Sequence, residues 1–507
     1  MFILMASNKY RARMGAIMSD TAISEDGLYM PARRLMNCAS TEYDLRAAAQ
    51  EAERGASESV PDAQYLHGLF LYTGQGEVMK DVETAREFFS LAAAGGSIPA
   101  KIVTDEIGRN PADVQDRLVG LRMRGEQRDP EACAELFGMY DVGNGEVRKD
   151  HAEAIRFYTV CAEDDDAVAQ DKIGFMYLMG KGIRKDREKA VYWLKRAAEN
   201  GNGLAMYHMG QMYDQGLCDT EPDLKSAVEW YRKGADAGDR DSEFALACIC
   251  SMPRTKYSND REAAVLFTKA AEQGHAEAQY QIGMMTAYGQ GARRDPSLAC
   301  KWLEKSCEGG YQQAMVDYAN MCFEGQVIPK DLEKAAHWFT VAANRCNGYA
   351  QYALACMYGN GLYYDQSDEM ALKWFREAAE MGEVNSQYCL GCFYYEGRGT
   401  PKDPKEAAVW FDQAADQGHP AAKAFLGMLQ VTGVGVDQDV DAGLANLNES
   451  ADGGYFEAQY YLGKLYYEGK YVPRNIPRAK KFLNMAAKQG DRDAMALLNK
   501  IKTERSK

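Results

Sequence analysis

Residues 276–310 read AEAQYQIGMMTAYGQGARRDPSLACKWLEKSCEGG, and thirty-six residues after Ala278 the chain says nearly the same thing again. With the small residue that opens each copy taken as position zero, Ala63, Ala100, Cys133, Ala169, Ala205, Ser242, Ala278, Ala314, Ala350, Ser386, Ala422, Ala458 and Ala494 fall in register. From Cys133 onward the step is 36 residues except once, at 37. Five residues after the opening position comes Gly or Ala, as in Gly68, Gly174, Gly210, Ala247, Gly283, Ala319, Gly391 and Gly463. Such phase marks an internal repeat, which replaces the count of about three compact domains that 507 residues would otherwise suggest.

Each copy reads as two helices. In the first, apolar residues recur at spacings of three and four, as in Ala278, Ile282 and Met285, the stripe of an amphipathic helix. A recurrent glycine inside it costs about 1 kcal/mol relative to alanine, so a neighbouring helix is expected to approach too closely for a side chain. The first helix is expected to stop at paired glycines such as Gly180 and Gly182, Gly289 and Gly291, or Gly397 and Gly399. The second starts at an aspartate, Asp186, Asp295, Asp331 or Asp403, whose carboxylate accepts from open N–H groups. Pro296 and Pro404 follow at the first helical position, where a missing N–H loses nothing. The second helix carries Ala190, Trp193, Ala197 and Ala198, repeated as Ala335, Trp338, Ala342 and Ala343 and as Ala407, Trp410, Ala414 and Ala415.

A helical hairpin of this size cannot bury both apolar faces alone, so copies must stack. The reading is an all-α fold: an α/α superhelical solenoid of about twelve 36-residue helix-turn-helix repeats with terminal caps. Residues 1–40 are expected to form a partly irregular N-terminal arm and residues 41–61 a capping helix and linker. The solenoid is placed at 62–500 and a basic C-terminal tail at 501–507. The copies opening at Ala100 and Ser242 fit the pattern poorly.

Small-Gln-Tyr-x-Leu-Gly-x-Met-Tyr, Gly-x-Gly, then Asp-x-x-x-Ala-x-x-Trp-x-x-x-Ala-Ala-x-x-Gly resembles the Sel-one-like repeat family, a relative of the tetratricopeptide repeats. Ala169–Gly201, Ser386–Gly418 and Ala458–Gly490 carry the resemblance most closely. It implies an adaptor that holds other proteins in complexes, with no catalytic residues in the repeat itself. Some secreted members staple each helix pair with regularly spaced cysteines; here Cys161, Cys307 and Cys346 lack a partner at a constant offset.

Composition bounds the function. Charged residues at 26% and a mean hydropathy of −0.47 point to a soluble protein, and no apolar stretch reaches the roughly 18 residues a spanning helix needs. The excess of 74 acidic over 59 basic residues, net −15, works against nucleic-acid backbones and anionic membrane surfaces. MFILM at the start is too short for an export signal, and thirteen cysteines, an odd number, favour a reduced, cytoplasmic setting.

Chemistry is sparse. No paired-histidine metal spacing, phosphate loop or nucleophile motif appears, so neither a metal nor a cofactor is expected. His275 and His419 share a turn position with Asn202, CLGC at 389–392 lies inside a first helix, and EDDD at 163–166 reads as a solvated turn. The informative residues are those that vary. Offsets three, six and ten share one face of the first helix. They give His208, Gln211 and Gln215; Gln281, Met284 and Tyr288; Asp317, Asn320 and Glu324; Phe425, Met428 and Thr432; then Tyr461, Lys464 and Glu468. The expectation is a non-catalytic scaffold binding a protein or peptide segment along a concave face. The alternative is a glycan-binding or hydrolytic enzyme, cell-wall or β-lactam related, that uses the aromatic groove.

Overall fold

Aspartate caps, glycine stops and alanine stripes fold as the pattern dictates. The computed structural model describes residues 42–505 apart from 111, 144–146, 164, 218 and 219, together with Ala32 and Met36; most of the expected N-terminal arm lies outside them. Among the described residues there are twenty-six helices and no strand. Glu42–Ser57 stands first, Arg492–Arg505 last, and twelve helix pairs lie between. The last helix runs on through a buried Ile501, so residues 501–505 continue it rather than forming a separate tail. The fold is an all-α solenoid.

Local chemistry sets each element. Asp295 Oδ1 accepts from Ser297 N and Leu298 N, both at 3.0 Å, with Pro296 next in line; Asp403 repeats this with Lys405 and Glu406. Such a cap contributes about 1 kcal/mol. First helices end on left-handed glycines, Gly180 at φ 71°, Gly289 at 78° and Gly397 at 80°. His275 and His419 are first-helix N-caps: each Nδ1 accepts from a backbone N–H three residues on, at 3.1 Å, as Asn202 Oδ1 does at 3.0 Å.

The glycine at offset five marks the closest approach inside a pair. A Cβ on Gly391 would sit 2.7 Å from the Phe411 ring, and one on Gly463 2.6 Å from Leu483 Cγ. The neighbour is the residue after the tryptophan position, not the tryptophan itself: Phe411 is fully buried while Trp410 is half-buried. The second loop glycine marks an approach between successive pairs. A Cβ on Gly399 would lie 2.5 Å from Asp368 O, at the start of the preceding second helix, and one on Gly291 or Gly435 would come closer still to Asp260 O or Pro404 O. Gly76 stands likewise over Leu45 O, so helix Glu42–Ser57 takes the place of a preceding second helix.

A glutamine at offset one closes the polar account. Gln170, Gln279 and Gln459 donate Nε2 to Ala162 O, Ala271 O and Ala451 O at 2.8, 3.0 and 2.9 Å, carbonyls in the last turn of the previous second helix. Asn200, Gln417 and Gln489, one second helix further on, donate to the Oε1 of Gln170, Gln387 and Gln459 at 2.9–3.0 Å. Carbonyls that helix ends leave open are thereby paired in the core.

The chain divides into two compact units, residues 1–249 and 250–507. In the first, Phe70, Phe89, Phe157 and Ile173 are core residues; in the second, Leu303, Phe339, Phe411 and Leu483 are. Buried charge is confined to the first: Asp62, Glu106, Arg122, Glu126, Glu153, Asp171 and Glu243 are buried there. No charged residue is buried among the described residues of the second.

Candidate partner-binding face

Offsets minus one, three, six and ten stack on one side of each first helix, because residues three and four apart are neighbours on a helical surface. In residues 250–505 this side is linked from repeat to repeat by tyrosines. Tyr280 OH donates to Asp317 Oδ2 at 2.7 Å, and Tyr349 OH to Asn320 Oδ1 at 3.0 Å. Gln313 Nε2 also donates to Asp317, at 3.0 Å. Burial, then the bond to Asp317, pushes the Tyr280 hydroxyl pKa upward, so it stays a donor. Further along, Phe425 lies 6.0 Å from the Tyr388 ring, 6.3 Å from Tyr395 and 5.2 Å from a stacked Phe411.

The expected site residues divide by what they already touch. Asp317, Asn320 and Phe425 are half-buried and engaged with the neighbouring repeat, and Met284, Met428 and Tyr461 pack partly into the core. Thr432 donates its hydroxyl to Met428 O at 2.8 Å. Gln281 is half-buried; Tyr288, Glu324 and Glu468 are exposed. Lys464 Nζ lies 4.0 Å from Glu468 Oε1. Tyr461, pushed up to about 12 by burial and by nearby Tyr471, Glu468 and Tyr395, keeps its proton at neutral pH.

Charge on this side is mostly negative. The four offsets on the first helices from residue 276 to residue 468 carry Glu277, Asp317, Glu324, Glu396, Glu457 and Glu468 against the single ammonium of Lys464. Cys389 and Cys392 sit on the same stripe as half-buried thiols; burial raises both, Cys392 to about 11, which makes them packing groups rather than nucleophiles.

In residues 1–249 the corresponding set is His208, Gln211 and Gln215. His208 is buried, its Nδ1 2.7 Å from Asp171 Oδ1 and its ring stacked 4.3 Å from Phe175. Gln211 Nε2 donates to Tyr207 OH at 2.8 Å, and Gln215 is exposed. Within EDDD, Asp165, at φ 65°, is held by Arg196 Nη2 at 2.8 Å, and Asp166 caps the next helix. The residues missed from sequence are the offset-two partners, Asp171, Tyr280 and Tyr388. For Tyr280 and Tyr388 the recurrence of tyrosine at that offset was the available signal.

Eleven segments match the Sel1 repeat model: residues 61–97, 130–165, 167–202, 203–239, 241–275, 276–311, 312–345, 348–383, 384–419, 420–455 and 456–491. The chain belongs to the Sel1 repeat family. The segment opening near Ser242, irregular by eye, is a Sel1 repeat by this match, whereas the helix pair at 98–126 is not among the matched segments. A protective antigen present in uropathogenic Escherichia coli strains, which displays an SLR fold, is 26% identical with a TM-score of 0.62 over 90% of each chain. A Sel1 repeat protein from Oxalobacter formigenes is 28% identical over 64% of this chain and 93% of that one, with a TM-score of 0.46. An uncharacterized protein of Neisseria meningitidis serogroup B is 28% identical over 147 residues, a match spanning 28% of this chain and 30% of that protein. Sel1 repeat proteins generally mediate protein–protein interactions, and the family is typically non-catalytic. Among the described residues no helix is long and apolar enough to cross a membrane.

Proposed function

We propose that this Sel1 repeat protein is a non-catalytic adaptor whose first-helix side, in residues 276–468, holds a protein segment carrying lysine or arginine beside apolar anchors. The observation that supports this is the conjunction of six carboxylates with aromatic side chains that bridge neighbouring repeats, as Tyr280 does to Asp317, Tyr349 to Asn320 and Tyr388 to Phe425. Aromatic rings supply contact area at low entropy cost, and carboxylates select cationic partners and speed encounter. The cytoplasmic setting expected from the cysteine pattern belongs to this proposal, and thiol counting on protein taken directly from its host tests it.

The test is a peptide array of twelve-residue segments spanning net charge and aromatic content. Binding should favour cationic, aromatic-containing peptides and weaken with salt. Exposed Glu324 and Glu468, changed together to Lys, should move the preference toward neutral or acidic peptides without altering the fold. An array on which charge and aromatic content make no difference, or a double variant with the wild-type profile, refutes the reading.

A further inference from the structure

The helix pair at 98–126, outside the family match, carries a fully buried guanidinium. Arg122 Nε lies 3.2 Å from Glu106 Oε2, its Nη1 3.0 Å from Glu153 Oε2, and its Nη2 donates to Tyr140 OH, which in turn donates to Glu106. Arg156 extends the cluster, with Nη1 2.7 Å from Glu126 Oε1 and Nη2 3.2 Å from Glu153 Oε2; Tyr65 OH donates to Glu126 at 3.2 Å. The side chains come from five helices, Pro61–Thr73, Ile98–Arg109, Ala112–Glu126, Pro130–Val142 and His151–Glu163. Phe157 closes the assembly, with the guanidinium carbons of Arg156 and Arg122 at 4.3 and 5.8 Å from its ring centre.

We propose that this cluster is an acid-sensitive fastener: as pH falls, residues 98–163 loosen while residues 250–505 stay folded. Protonating Glu153 leaves the buried Arg122 guanidinium short of a counter-charge, a state that favours opening to water. Burial alone would raise the Glu153 carboxyl; the Arg156 and Arg122 guanidinium groups outweigh it and hold Glu153 below the usual carboxylate range. A carboxylate depressed in the folded state contributes its full stabilisation above the unfolded value of about 4.3, and loses it as pH falls through the folded value. The window is therefore below about pH 4.3. Among the described residues of 250–505 no charged residue is buried, and ion pairs such as Lys334–Glu304, Arg398–Asp368, Lys423–Glu449 and Lys464–Glu468 are all partly open to solvent, where pairs contribute little. The second unit has two histidine N-caps, His275 and His419, each holding a single backbone N–H at one helix start.

Hydrogen exchange on the full chain from about pH 7 to about pH 3, corrected for the intrinsic rate, reads the proposal directly. Opening of residues 98–163 should rise about tenfold per pH unit for each carboxylate that gains a proton, ahead of any loss in residues 250–505. Glu153→Gln, which keeps the shape and removes the depressed carboxylate, should flatten that slope by about one proton. Simultaneous loss of protection in both units, protection of 98–163 that persists to the lowest pH, or a Glu153→Gln slope equal to wild type each overturns it.

Discussion

Gly399→Ala tests the joint between successive repeats. Gly399 has φ +61°, and an added Cβ would lie 2.5 Å from Asp368 O, 2.7 Å from Asp368 C and 3.0 Å from Glu369 N, all backbone atoms at the head of the preceding second helix. The left-handed backbone costs about 1–2 kcal/mol for alanine. The clash, which no rotamer relieves, adds about 1–3 kcal/mol of overpacking. Gly418 is the control, because at φ +89° its added Cβ meets nothing within 4 Å, so Gly418→Ala carries the backbone term alone. The two variants should differ by about 1–3 kcal/mol, a factor of roughly 5 to 150 in local opening. Native-state hydrogen exchange on the full chain measures this in peptides from Asp368–Glu380 and Val384–Glu396 for the first variant, and from helices Pro404–Asp416 and Pro420–Thr432 for the second. Equal opening in the two variants would show that the repeats do not meet as closely as this argument requires.

Gln459→Ala removes the donor to Ala451 O and the acceptor for Gln489, so thermal unfolding should reveal a loss of about 1–3 kcal/mol. Phe411→Ala empties the fully buried site over Gly391 and should cost about 3–5 kcal/mol, visible as a lower urea midpoint. Cys392, pushed up to about 11, holds roughly one thiolate in a thousand at pH 8. A maleimide should therefore label exposed Cys346 well before Cys392; equal rates count against the burial argument.

The helix pairs were legible because each signal is local. A cap aspartate, a left-handed glycine and a small-residue stripe all act within one or two turns, and Asp295, Gly289 and Ala299 do what their residue types dictate. Gly283 and Gly391 were legible too, since only a close neighbour explains glycine inside a helix. The candidate face was legible only in part. Helical spacing groups Asp317, Asn320 and Glu324, but it does not say that the first two are already engaged by Tyr280 and Tyr349 from adjoining repeats. That depends on how far one first helix is rotated against the next, a tertiary quantity that no single repeat contains. The same holds for Arg122, whose partners come from helices up to thirty-one positions away.

The contact of Gly291, Gly399 and Gly435 with the head of the previous second helix has an evolutionary corollary. These three joints use the same two surfaces, so excising or duplicating one entire period between them re-creates an intact joint on either side of the edit. A deletion of any other length brings a side chain or a displaced loop onto a backbone carbonyl. Length variation among homologous arrays should accordingly be quantised in steps of one period.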